Sequence, residues 1–132
     1  MLGVVQNVPD LMVYTGTETL LLDILRKGGA GSITATANLI APECQHVFQA
    51  WKNGRSEAAD QAQKHLTALR IAFESYSFVS EMKSLLAAQT NSEEWNHMLP
   101  PFAQLPDEQV EELTEQIKVL GLDLSQRLLL KS

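Results

Sequence analysis

Met12-Val13-Tyr14-Thr15-Gly16-Thr17-Glu18-Thr19 carries a short strand into a leucine-rich helix, and this junction decides how the 132-residue chain is read. Leu11 to Thr15 is apolar and rich in strand formers, as expected of a strand buried on both faces. Glu18 to Lys27 follows as a helix, with Leu21, Ile24 and Leu25 on one stripe. Its acidic residue lies at the start and Arg26-Lys27 at the end, each matching the helix dipole. Gly28-Gly29 stops it. The pattern then repeats. Gly31-Ser32-Ile33-Thr34-Ala35-Thr36-Ala37-Asn38 contains a second strand, Ser32 to Ala37, and leads into a helix opened by Pro42. Successive strand–helix units of this length predict a parallel sheet with helices packed on it. In such folds ligands meet the chain where strands end and helices begin. A site is therefore expected at Gly16 to Thr19 and at Thr36 to Asn38.

Outward from these junctions the chain turns helical. Met1 to Val8 reads as the last turns of a helix, broken by Pro9-Asp10. After Pro42, residues Cys44, Val47, Phe48 and Trp51 share one face until Asn53-Gly54 ends the helix. Ala59, Ala62, Leu66, Leu69, Phe73 and Tyr76 alternate spacings of three and four, predicting a helix packed along its length. Phe78 to Gln89 is a further short helix or a bent continuation of it. Thr90 to Gln104 is a loop with Pro100-Pro101 as a stiff stop. Pro106 to Leu120 is the last helix, with Val110, Leu113, Ile117 and Leu120 inward, and Ser125 to Ser132 is expected to fray. Two parallel strands alone make a poor sheet, because both faces and both edges need cover. The chain therefore reads as the back end of something larger.

Composition narrows the function. A formal net charge of -6 argues against nucleic acid, which needs a cationic surface. No Lys/Arg run suggests an anionic membrane surface, and no apolar stretch approaches the ~20 residues of a membrane span. One cysteine, Cys44, allows no internal disulfide and suits a cytoplasmic setting. It lies on a packing stripe with no histidine placed to activate it, so a buried, inert thiol is expected. His46, His65 and His97 have no metal spacing, and neither a metal nor a cofactor is expected. Gly28-Gly29-Ala30-Gly31 is no phosphate cradle, because it follows a helix and precedes a strand. The acids Asp107, Glu108, Glu111, Glu112 and Glu115 form a solvated helix face.

Val13-Tyr14-Thr15-Gly16-Thr17-Glu18-Thr19-Leu20-Leu21, then Gly28-Gly29-Ala30-Gly31-Ser32-Ile33-Thr34-Ala35-Thr36-Ala37-Asn38 and Ala41-Pro42, resemble the final two βα units of the dihydrodipicolinate synthase / N-acetylneuraminate lyase family. The helices after Gly54, the Glu81-Met82-Lys83 segment and Pro100-Pro101 resemble that family's C-terminal helical region. The resemblance implies an α/β fold: the C-terminal part of a (β/α)8 TIM barrel over residues 1–53, followed by a helical extension over residues 54–132. It implies class I aldolase or lyase chemistry on pyruvate or a related small 2-oxo acid, through a Schiff base to a lysine. In the family that lysine ends the sixth strand and a proton-moving tyrosine ends the fifth, both before the part resembled here. The lysines of this chain fall on expected helices or the tail, so no catalytic residue is expected in it. By resemblance, Gly16 borders the substrate pocket, Thr17 and Glu18 match residues that meet the distal part of the substrate in some members, and the Ile33 backbone carbonyl lies near the Schiff-base lysine. Glu18 read alone is equally a first-turn dipole residue. Ala35 matches a position where some sialic-acid lyases carry serine, which disfavours that substrate. Thr36 and Asn38 are candidates to bond in the barrel mouth, although Asn38 is read more simply as satisfying loop backbone groups.

The expected function is thus the C-terminal portion of a Schiff-base aldolase, contributing pocket wall and oligomer scaffold, inactive alone and a homo-oligomer. The alternative is a non-enzymatic, self-associating helical interaction module, driven by exposed strand edges and the long helical stripe.

Overall fold

A computed structural model describes residues 11–125. The helix expected at Met1 to Val8, Lys131 and all of the tail beyond Ser125 lie outside these residues. The chain forms two compact units, Met1–Arg70 and Ile71–Ser132.

In the first unit, strand β1 (Tyr14–Thr15) and strand β2 (Gly31–Ser32) run parallel, with Tyr14 opposite Gly31 and Thr15 opposite Ser32. One hydrogen bond extends the ladder on each side: Ala30 N–H donates to the Val13 carbonyl (2.8 Å) and Ile33 N–H to the Thr15 carbonyl (3.0 Å). Parallel pairing agrees with the βα reading. The strands are shorter than expected, and one face is open: Met12 is 73% and Ile33 71% exposed. A two-stranded sheet has no neighbour to complete its ladders, so Leu11 to Val13 and Ile33 onward leave regular pairing. Ile33 is therefore not a core side chain within the described residues.

The helix after β1 starts tightly. Thr17 caps a 3-10 turn (Glu18–Leu20), its hydroxyl accepting from Thr19 N–H at 3.4 Å, and α1 (Leu21–Arg26) continues from it. Leu21, Leu22, Ile24 and Leu25 are all buried. Burying each such side chain contributes about 1.5–3 kcal/mol. The helix closes with two crossed bonds, Gly28 N–H to the Leu25 carbonyl (3.1 Å) and Gly29 N–H to the Ile24 carbonyl (2.7 Å). That closure needs the left-handed conformation of Gly28, φ 87°. Gly29 is required for a different reason: a Cβ there would lie 2.3 Å from Ile24 Cγ1 and 2.9 Å from the Ile24 carbonyl oxygen.

Helix α2 (Ala37–Lys52) begins before Pro42, earlier than expected. Ile40 leaves helical geometry (φ -121°, ψ 28°). Pro42 lacks an N–H and its ring crowds the carbonyl four residues back, so the run is a short turn followed by a helix that Pro42 opens. Helix α1 packs on α2, and α3 (Ser56–Ala72) follows the Gly54 turn. Val47, Ala59, Leu66, Leu69 and Phe73 are buried, as the stripes predict, whereas Cys44, Phe48, Trp51 and Ala62 are half-buried, Tyr76 is exposed, and Ala50, on neither stripe, is buried.

In the second unit, α4 (Phe78–Thr90) is a helix of its own. Ser77 is extended, and the buried Glu81 accepts from Tyr76 N–H at 2.7 Å, fixing a fresh start. A 3-10 turn, Glu93–Asn96, occupies part of the expected loop, and the Pro100-Pro101 bond is cis. Helix α5 (Asp107–Val119) buries Val110, Leu113 and Ile117 and turns its acids outward, as expected. No helix among the described residues is long and apolar enough to cross a membrane.

Candidate functional site

Both corners singled out in the sequence leave the same end of the parallel pair, because parallel strands end together. After β1, the Thr15 hydroxyl donates to the Thr17 carbonyl and accepts from Thr17 N–H, both at 3.2 Å. These bonds fold the chain tightly around Gly16. Gly16 is exposed, and a Cβ on it would meet nothing within 4 Å. Thr17 is half-buried, with its hydroxyl 3.0 Å from that of Thr19.

Glu18 behaves differently. It is fully buried, and its carboxylate points inward. One oxygen accepts a short hydrogen bond from the Thr34 hydroxyl. The other lies 3.2 Å from Arg70 Nε, whose side chain is 17% exposed against 0% for Glu18. The Glu18 backbone carbonyl accepts from Gln63 Nε2 at 3.0 Å. Gln63 Oε1 in turn accepts from Leu22 N–H at 2.9 Å, capping α1, which has no side-chain cap of its own. Gln63 Nε2 also donates to the Thr67 hydroxyl at 3.0 Å. Gln63, Thr67 and Arg70 fall on one face of α3, spaced four and three residues apart.

At the second corner, Ile33 extends its side chain into solvent. Asn38 Nδ2 donates to the Ala35 carbonyl at 2.8 Å, in agreement with its backbone-satisfying reading. Thr36 is buried, and its hydroxyl has no hydrogen-bond partner.

Several groups are placed away from these corners. Cys44 is half-buried, and its thiol pKa is pushed up to about 12, first by burial and then by the negative charges of Glu18 and Glu43. It is a protonated thiol rather than a nucleophile, as expected. His46 and His65, with Glu43, line a shallow depression of about 270 Å³ beside Ala58, Gln61 and Ala62. Among the described residues no three histidine, cysteine or acidic groups could hold a metal ion. Lys27 follows α1, Lys52 ends α2, and Lys64, Lys83 and Lys118 lie on α3, α4 and α5. Lys83 donates through Nζ to the His97 carbonyl. Among the described residues no lysine ends a strand.

The sequence does not single out Thr34, Gln63 or Arg70. The available signal is the polar spacing Gln63, Thr67, Arg70 beside the apolar stripe of α3. A polar row flanking a buried stripe reads first as solvated surface.

A family model described as the Dihydrodipicolinate synthetase family matches residues 1–120. The chain is 30% identical over 114 residues to the 4-hydroxy-tetrahydrodipicolinate synthase of Methanopyrus kandleri, covering 86% of this chain and 37% of that protein. The structure superposes on N-acetylneuraminate lyase from Mycoplasma synoviae with a TM-score of 0.78 at 19% identity, covering 92% of this chain and 42% of that one. It also superposes on YagE from E. coli K12, solved in complex with pyruvate, with a TM-score of 0.76 at 21% identity, covering 91% and 40%. The chain thus spans about two fifths of the length of these relatives.

Proposed function

Because the chain belongs to the dihydrodipicolinate synthetase family, we propose that it acts as the C-terminal portion of a Schiff-base-forming aldolase or lyase for pyruvate or a related small 2-oxo acid. Residues 1–53 supply the last two βα units of a TIM barrel, and residues 54–132 supply the helical extension. Gly16, Thr17 and the Ile33 backbone form one wall of the pocket. Glu18 belongs to the same wall through the bonds it makes behind it. The amine that attacks the ketone, and the group that moves its protons, come from the rest of the barrel. The complete assembly is a cytoplasmic homo-oligomer.

The single observation that carries this reading is the parallel pairing of Tyr14 with Gly31, which brings the Gly16 and Ile33 corners out at one end. A barrel collects its reacting groups at that end. Gly16 leaves open room there for a ligand to approach the backbone.

Borohydride trapping with pyruvate tests it. The isolated chain is expected to gain no covalent adduct. Combined with a polypeptide carrying six βα units and a strand-ending lysine, the mixture is expected to trap pyruvate on that lysine. An adduct on this chain alone overturns the assignment of the nucleophile.

A second reading, the self-associating module, is favoured by the exposed Met12, Tyr14 and Ile33 on the open strands. Size-exclusion chromatography separates the two. Oligomers that persist when the six-unit polypeptide is added favour the module, and oligomers that give way to a mixed complex favour the barrel.

A further inference from the structure

The polar groups around Glu18 tie separate segments together. The carboxylate joins the corner after β1 to the corner after β2 through Thr34, and both to α3 through Arg70. Gln63 grips the backbone on either side of the 3-10 turn, at the Glu18 carbonyl and the Leu22 N–H. Four contacts therefore converge on residues 18–22, from Thr34 after β2 and from Gln63 and Arg70 on α3. Packing alone does not call for this arrangement. A leucine at position 18 would fill the space without the desolvation that a buried carboxylate demands. What the Thr34 and Gln63 bonds add is direction, since a hydrogen bond holds its partner at one distance and angle whereas apolar contact permits sliding; Arg70 adds a cation 3.2 Å from the second carboxylate oxygen.

We propose that Glu18, Thr34, Gln63 and Arg70 form a latch through which helix α3 sets the positions of the two strand-end corners, making Glu18 a positioning residue rather than a contact to substrate. The pocket-wall role of those corners rests on the function proposed above; the latch itself does not. Its chemistry also changes what the corner offers a ligand. With both carboxylate oxygens directed at Thr34 and Arg70, the corner presents the backbone at Gly16 and the side chain of Thr17, not the negative charge of Glu18.

Amide hydrogen exchange on the full chain tests the latch. Leu20, Leu22 and Ile33 report the corners through their hydrogen-bonded N–H groups, while Val47 and Ala50 report the buried face of α2. Arg70→Met leaves the Glu18 carboxylate buried without its cation. It is expected to speed exchange at the three corner amides about tenfold or more, with Val47 and Ala50 changed less than about threefold. Adding Glu18→Gln to Arg70→Met removes the stranded charge and is expected to return the corner amides to within about threefold of the parent. Should Arg70→Met fail to fold, Gln63→Ala decides, because it strands no charge and is expected to loosen Leu20 and Leu22 alone. Uniform acceleration at corner and α2 amides, no acceleration at the corners, or a double variant as loose as Arg70→Met or looser would overturn the latch. Exchange in this chain needs no ketone and no lysine. A failed pyruvate trap therefore leaves the latch standing, and a failed latch leaves the Schiff-base reading intact.

Discussion

The two ends of the parallel pair use glycine for opposite reasons. At the Gly28-Gly29 end, the chain's own packing demands it: Gly28 holds a left-handed turn, and Ile24 occupies the space a side chain at Gly29 would need. At the Gly16 end, nothing within 4 Å excludes a side chain. One end is closed upon itself by hydrophobic contact. The other is open in front and braced from behind by buried polar bonds. A glycine explained by its own neighbours marks architecture, whereas a glycine with room around it leaves its backbone accessible.

Breaking the brace is the largest test of this contrast. Arg70→Met leaves the Glu18 carboxyl buried without its partner, and breaking a buried pair by removing one member costs about 3–5 kcal/mol. Thermal unfolding checks it, and a drop in Tm no greater than that of an exposed ion pair would show that water reaches Glu18. Next comes the closed end. Gly29→Ala must displace Ile24 side chain and backbone, and overpacking of this kind costs about 1–3 kcal/mol by denaturant titration. An unchanged midpoint would mean that the turn yields freely.

A smaller effect is expected at the exposed pair of Arg26 and Asp60, 2.8 Å apart, which links α1 to α3 outside the brace. The hydrogen bond from Arg26 holds the Asp60 carboxyl below its ordinary pKa. A depressed folded value stabilises above the unfolded pKa of about 3.9 and is lost as pH falls through the folded value. Asp60→Asn should therefore lower Tm slightly at neutral pH and in low salt, and match the parent in strong acid. The smallest stability change belongs to Gly16→Ala, within about 0.5 kcal/mol, because the added methyl meets open space. Its effect should fall instead on pyruvate trapping in the completed barrel. A large loss of Tm with unchanged trapping would reverse the contrast between the two ends.

The legible parts of this molecule are those with local causes. Leucine spacing located α1, the stripe from Ala59 to Tyr76 located α3 although the helix stops at Ala72, and Pro42 marked a helix opening although a short turn precedes it. The glycine run was readable as structural because its order, after a helix and before a strand, is itself sequence information. Strand length was not legible, since pairing depends on neighbours that two strands do not provide. The burial of Glu18 was hidden for a related reason. An acid in a first turn looks like a solvated dipole partner, and its hydrogen-bond donor and its cation lie 16 and 52 positions later, at Thr34 and Arg70. Asn38 was legible because its partner, Ala35, is three residues away.

The reach of Gln63 into the start of α1 bears on how the chain can be divided. A six-residue helix is far too short to persist by itself in water. Here its first turn borrows an acceptor from a helix that begins beyond Gly54. Scission after Asn53 would therefore not release a self-sufficient βα pair. It would strip away the amide and guanidinium that meet that pair, so the two βα units and helix α3 are expected to fold as one piece.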